Sequence, residues 1–310
     1  MSAGQELKTG TAAADDHPLL TALRVRAELW PFPGTDAGGE DPAFTPVIAL
    51  FGDDAFLERM LARQQASTHG LDRKGAAAFL VTEYGSLFAL TVVPSFVGFG
   101  LVPDAAPARY ALSFAAPSGA EAGARRPDVA VRFLSRRFTT SDPRHASHPD
   151  ARRLVDREGL CAALREEIEL HFAPLVERLH GLTHLSRAGA WRLVGDAVAA
   201  RFLEAGERLG CSGDAISAAL AVLKDRGSPL NNRQMHFFDI AVRDGEGAIL
   251  TKKTFRQRGG CCRLYTADER AMCVTCVLRD PAERDAIIVS AMRRKLGLAA
   301  DAAPPGHLPS

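Results

Sequence analysis

Apolar residues recur at helical spacing along much of this chain, and that pattern lays out its framework before any chemistry is considered. Leu160, Leu164, Ile168, Phe172, Leu175 and Leu179 predict a long core helix over 156–180, kinked at Pro174. Trp191, Val194, Val198 and Phe202 mark a second helix over 187–205, and residues 214–225 a third. Nearer the N-terminus a short helix is expected over 19–29. Another spans 55–65, where Asp53 and Asp54 can cap a segment carrying Phe56, Met60 and Leu61. Asp280 and Pro281 open a last helix through 282–296, with Ile287, Ile288, Met292 and Leu296 on one face.

The run 76–101 is the most apolar, with Glu83 its only charge. Its eighteen uncharged residues from 84 to 101 reach the lower length limit of a membrane span. Ser86, Pro94, Ser95 and several glycines interrupt it, so a buried core helix ending near Pro94 is expected instead. Alternation at Tyr110, Leu112, Phe114 and at Val129, Val131, Phe133 predicts a hairpin closed by the Gly- and Ala-rich loop 117–126. Residues 141–151 read as a connection whose His145 and His148 are solvated. Asp244, Gly245, Glu246 and Gly247 mark a turn, followed by a strand over 249–257. The fold class is therefore α+β. A mainly helical body with a few antiparallel strands spans 19–245, and a small C-terminal module spans 246–298. Residues 1–18 and 299–310 read as disordered tails.

Composition narrows the partners. A 46% hydrophobic content suits a sizeable core, and a formal net charge of +1 with interspersed signs advertises neither nucleic acid nor an acidic membrane. No secretory signal is read, which points to the cytoplasm, with at most a peripheral association with the inner membrane. No dinucleotide fingerprint or nucleophile motif stands out. His171, His180 and His184 lack a carboxylate set to complete a metal site, and Cys161 and Cys211 read as small buried apolar residues.

The remaining four of the six cysteines crowd together as Cys261-Cys262, a ten-residue gap, and Cys273-x2-Cys276. Core packing gives no reason for such clustering, whereas thiolate ligands do. A soft donor set of this kind selects zinc, cuprous copper or an iron-sulfur cluster. A disulfide within the adjacent pair is disfavoured, because neighbouring Cα atoms lie about 3.8 Å apart while disulfides want about 4.4 Å or more. Structural zinc usually gathers two Cys-x(2-4)-Cys knuckles, and here there is one. Adjacent cysteines converge only if the backbone bends, a freedom that Gly259 and Gly260 are expected to supply. Two irons accommodate one ligand from each neighbour more easily than one small ion, which favours iron-sulfur.

With Arg258 and the two glycines before it and Tyr265 after it, this C-terminal Cys-Cys-x10-Cys-x2-Cys pattern resembles the FhuF-type ferric siderophore reductases. A weaker likeness lies in the segment 185–191, which ends at Trp191. The resemblance implies a two-iron, two-sulfur cluster on Cys261, Cys262, Cys273 and Cys276. It also implies one-electron reduction of siderophore-bound Fe(III), a hydroxamate chelate being one substrate of that kind. An external donor such as a ferredoxin or reduced flavin would supply the electron. Lys252, Lys253, Arg256, Arg258 and Arg263 surround the first cysteines without an acid among them. Arg256, Arg258, Arg263 and Tyr265 are the expected neighbours of the cluster, where cations would raise its potential. Arg233 and His236 are the candidates for holding the chelate. Two other readings use the same cysteines: a zinc-stapled interaction protein, and a pure electron carrier. Some 240 residues before the C-terminal module are more than a carrier needs.

Overall fold

Local sequence signals set the helix boundaries in the computed structural model, which describes residues 17–115, 128–268 and 271–298. Helix α1 (Pro18–Leu29) begins where His17 Nδ1 accepts the Leu19 N–H, with proline at its first position. Helices α2 (Val47–Gly52) and α3 (Asp54–Ser67) follow, the latter capped by Asp53. Asp72 caps α4 (Arg73–Phe99), Asp156 caps α5 (Arg157–Thr183) and Ser186 caps α6 (Arg187–Leu209). Then come α7 (Ser212–Leu223) and α8 (Pro281–Lys295), the latter capped by Asp280. The fold is α+β and mainly helical. Helices α4 and α6 pack along each other at its centre, α7 covers α6, and α5 lies against α7 and α2.

The strands are short and form three small sheets. Strands β1 (Gly34–Ala37), β2 (Thr45–Pro46), β4 (Tyr110–Ala115) and β5 (Asp128–Phe133) assemble in the order β1-β5-β4-β2. The expected hairpin is present as β4 against β5, Tyr110 facing Phe133, but β1 joins it in parallel. Its connecting loop 117–126 lies outside the described residues, as do the tails 1–16 and 299–310. A second sheet places β3 (Leu101–Pro103), β6 (Phe138–Thr140) and β7 (Ala151–Arg153) side by side, with β6 and β7 parallel. The third is the antiparallel hairpin of β8 (His236–Arg243) and β9 (Ile249–Gln257), which crosses the 245/246 boundary drawn from the sequence.

The expectation that the apolar helix stops near Pro94 is corrected: α4 runs on to Phe99 and ends at Gly100 in the left-handed region, φ +63°. A proline in mid-helix lacks the N–H that would bond the carbonyl four residues earlier, here Leu90. Arg26 of α1 supplies the missing donor, its Nε–H reaching Leu90 O at 3.3 Å. The rest of its guanidinium bonds Phe32 O at 3.0 Å and Pro33 O at 2.6 Å, which explains how an arginine only 1% exposed is tolerated. Of the described helices, α4 is long and apolar enough to cross a membrane, and 67% of its apolar window is buried within the fold.

The core is centred on Phe88, Tyr110 and Phe172, all fully buried, around His171. His171 Nδ1–H donates to Ala105 O and Nε2 accepts from the Tyr84 hydroxyl, both at 2.6 Å. Burial lowers it to about 3, so it is a neutral structural residue, in line with the sequence reading. Cys161 is buried as expected, whereas Cys211 is half-buried at the start of α7.

Candidate functional site

The four clustered cysteines lie in two loop segments between β9 and α8, and the sequence around them fastens those loops to four separate elements. At the base, Arg258 N–H bonds Thr275 O and the Gln257 amide donates to Cys276 O at 3.2 Å, tying the segments together. Gln257 in turn accepts from Arg284 of α8, whose guanidinium lies 3.7 Å over the Phe238 ring of β8. Arg263 pairs with Asp72 at 2.7 Å, and Asp268 with His69 at 2.6 Å, so the first segment docks at the N-terminus of α4. Cys276 N–H bonds Cys273 O at 3.1 Å, closing the tight turn of the Cys-x2-Cys knuckle.

The fourth anchor comes from α6 and was not foreseen. Asp196, 2% exposed, accepts the N–H of Gly259 at 2.8 Å and of Gly260 at 2.9 Å. Arg256 Nη1 lies 3.3 Å and Arg258 Nε 3.7 Å from the same carboxylate. Burial pushes Asp196 above the usual carboxylate range, and Arg256, the two glycine N–H groups and Arg258 pull the other way. Its only sequence signal is one acid on an otherwise apolar stretch, Val194-Gly195-Asp196-Ala197-Val198.

The glycines act differently from the expectation. Neither adopts positive φ, and the bend falls at Arg263, φ +60°. What excludes a side chain is close approach. A Cβ on Gly260 would stand 3.0 Å from Leu193 N and 3.1 Å from the Arg192 carbonyl carbon, and one on Gly259 would overlap the Asn232 amide. The cysteine loop is thus pressed directly onto the backbone of α6.

Electrostatics separate the basic residues that the sequence grouped. Arg258 Nη1–H points at Cys273 Sγ at 3.5 Å. Burial alone would weaken its hold on the proton, but Cys262, Cys273 and Asp196 together raise it, so the guanidinium stays charged. A hydrogen bond from the Cys276 thiol, then the charge of Arg258, drops Cys273 well below the usual thiol range against the cost of burial; Cys276 keeps its proton. Cys261 acts on both Cys276 and Arg263. All four thiols therefore belong to one electrostatic neighbourhood. Lys252 and Lys253 do not: both are exposed, and they pair with Asp239 at 2.8 Å and Glu207 at 3.1 Å. Tyr265 is 41% exposed on the 3-10 turn Leu264–Thr266, beside Arg263.

Among the described residues, three buried N–H donors around the loop make no hydrogen bond: Arg258 Nε, which lies 3.7 Å from Asp196, Arg263 Nε and Asn232 Nδ2. Orphaned buried donors are costly, and a group rich in sulfur acceptors against these residues would satisfy them. The donor set and its cationic surroundings fit an anionic metal-sulfur centre held by Cys261, Cys262, Cys273 and Cys276. Arg233 and His236 are both exposed. His236 faces Gln257 across the hairpin and bonds Gln234 O at 2.7 Å, and neither residue lines a described cavity.

Among the described residues, His17, His148 and Asp150 bring three candidate ligand atoms within 4.8 Å of one another, while no three of the cysteine sulfurs do. The expectation that His148 is solvated is therefore corrected: its ring packs edge-on against His17, 4.5 Å between centroids. Yet His17 Nδ1 accepts the Leu19 N–H and His148 Nδ1 the Asp150 N–H. Each ring then carries its proton on Nε2, the atom a metal would need, so this cluster is a structural latch. Comparison with protein-family models, curated proteins and solved structures finds no match to this chain.

Proposed function

We propose that the chain is a cytoplasmic ferric siderophore reductase carrying a two-iron, two-sulfur cluster on Cys261, Cys262, Cys273 and Cys276. The observation that carries this reading is the arginine-roofed cysteine loop with its three buried N–H donors that make no hydrogen bond. The sequence spacing, one Cys-x2-Cys knuckle beside an adjacent cysteine pair, favours two irons over zinc. With Zn–S near 2.3 Å, a tetrahedral zinc needs all four sulfurs within about 4 Å of one another, whereas a two-iron centre needs only pairs.

When bound, such a cluster supplies reversible one-electron chemistry. The chain's own groups prepare for it. Arg258 holds the Cys273 thiolate, and Asp196 fixes Arg256, Arg258 and both glycine amides behind it. The fixed positive charge and free N–H donors favour added negative charge on sulfur, which raises a reduction potential. The net reaction transfers one electron from an external donor, a ferredoxin or reduced flavin, to chelated Fe(III). The Fe(II) product is held far less well by hard oxygen ligands, so reduction releases iron.

The test is an anaerobic visible spectrum of freshly purified protein, with iron, acid-labile sulfide and zinc measured on the same sample. Equal iron and sulfide, with bands that bleach on reduction and return on adding a ferric hydroxamate, are expected. Zinc without sulfide would leave a structural knuckle, and bands unmoved by ferric chelates would leave an electron carrier.

A further inference from the structure

A cavity of about 460 Å³ opens among α3, α4 and the β4–β5 pair, and no cysteine or cysteine-loop anchor lines it. That volume lies within the range of small-molecule sites. Phe32, Phe51, Phe56, Phe79, Tyr84 and Phe114 all line it, a concentration of rings in a chain only 7% aromatic. The rings of Phe56 and Phe114 lie 5.8 Å apart between centroids, and Phe51 meets Tyr84 edge-on at 5.4 Å. Phe32 and Phe114 stay 44% and 41% exposed, which marks where an occupant enters.

The polar groups of the lining are already engaged by the protein. All four side-chain hydroxyls donate to protein groups: Ser67 to Gln64 O at 3.0 Å, Thr82 to Ala78 O at 2.9 Å, Ser86 to Thr82 O at 2.8 Å, and Tyr84 to His171 at 2.6 Å. The charged groups are matched as well. Glu83 accepts from Gln64 at 2.6 Å, Arg201 pairs with Glu204, and Arg63 has its own interaction within the protein. A polar or charged occupant would therefore give up water to face groups committed elsewhere, a cost that an apolar one avoids. Rings add a preference of their own, because aromatic pairs in offset or edge-to-face contact gain beyond their buried area.

We propose that this cavity binds a neutral aromatic molecule, its rings against Phe56, Phe79 and Phe114. The site is independent of the cysteine loop and of any reaction there. The test is fluorescence titration of the full-length protein with the neutral probe phenylnaphthylamine and with anilinonaphthalene sulfonate, which has the same rings and a fixed charge. Saturable binding of the neutral probe is expected, with the sulfonate at least about tenfold weaker because its charge finds no partner. Naphthalene should displace the probe about fivefold better than its saturated counterpart decahydronaphthalene, once each is corrected for its octanol partition. Leu87→Trp on α4 and, separately, Met60→Trp on α3 fill the cavity, and each should abolish the neutral probe's signal while melting stays cooperative. If one variant fails to fold the other decides, and if both fail the two ratios on the native chain decide. A sulfonate bound as tightly as the neutral probe, no saturable binding of that probe, equal corrected displacement, or binding that survives in a folded tryptophan variant would overturn the assignment.

Discussion

Asp196→Asn is the substitution that tests the architecture of the cysteine loop most directly. It keeps the size of the side chain, removes the charge beside Arg256 and Arg258, and turns one acceptor of the Gly259 and Gly260 amides into a donor. Removing one partner of a buried charged network costs about 3–5 kcal/mol, because the other charges stay buried. Since α6 keeps its own packing, that cost falls on the attachment of the loop. At 1.4 kcal/mol per factor of ten, 3–5 kcal/mol is a gain of about two to three and a half orders of magnitude in loop opening. Hydrogen-exchange mass spectrometry of the metal-free protein reads this directly. Protection of the Gly259 and Gly260 amides should collapse while that of α4 and α5 persists. Glu207→Gln, which removes only the exposed partner of Lys253, should change stability by less than about 1 kcal/mol. Unchanged protection at the two glycines would refute the anchoring role, and uniform loss along the chain would show that Asp196 holds up the whole fold instead.

Other substitutions separate competing terms. Gly260→Ala should destabilise by about 1–3 kcal/mol in chemical denaturation, because its Cβ meets the backbone of α6. Gly213→Ala, in open space on α7, should stabilise by about 0.5–1 kcal/mol. His171 binds its proton only near pH 3, while an ordinary histidine in the unfolded chain binds near 6.5. The unfolded state is therefore favoured as pH falls through that window, by up to about 5 kcal/mol at its lower end. His171→Gln should flatten that slope in denaturation curves taken between pH 4 and 7, and an unchanged slope would place the acid sensitivity elsewhere. Arg258→Gln should raise the first thiol pKa of the Cys273–Cys276 pair, measured as slower iodoacetamide alkylation of the metal-free protein near neutral pH. An unchanged rate would remove Arg258 from the thiolate's surroundings.

Much of this was legible because the signal was local and repeated. The spacing from Leu160 to Leu179 and from Trp191 to Phe202 marks α5 and α6, and the alternation around Tyr110 and Val131 marks β4 and β5. Strands β1, β2, β3, β6 and β7, of two to four residues, are too short to show any period. The cysteine spacing named the donor set but hid its support, since Asp196 lies more than sixty residues from the amides it holds. The lysines looked equivalent to the arginines in sequence, yet they are exposed and paired with Asp239 and Glu207, while Arg256 and Arg258 turn to buried Asp196.

The bond from Arg26 to Leu90 also bears on how the molecule assembles. A helix ordinarily completes its hydrogen bonds from within and can form early, but α4 has a joint at Pro94 whose closure comes from a residue 64 positions upstream of Leu90. Contacts of such long range form late, after the entropy of closing the intervening loop has been met. The contact of Arg26 with Leu90 is thus expected to close after the local turns of α4. Loss of Arg26 should speed unfolding far more than it slows folding, so the N-terminal helix acts as a kinetic clasp on the centre of the protein.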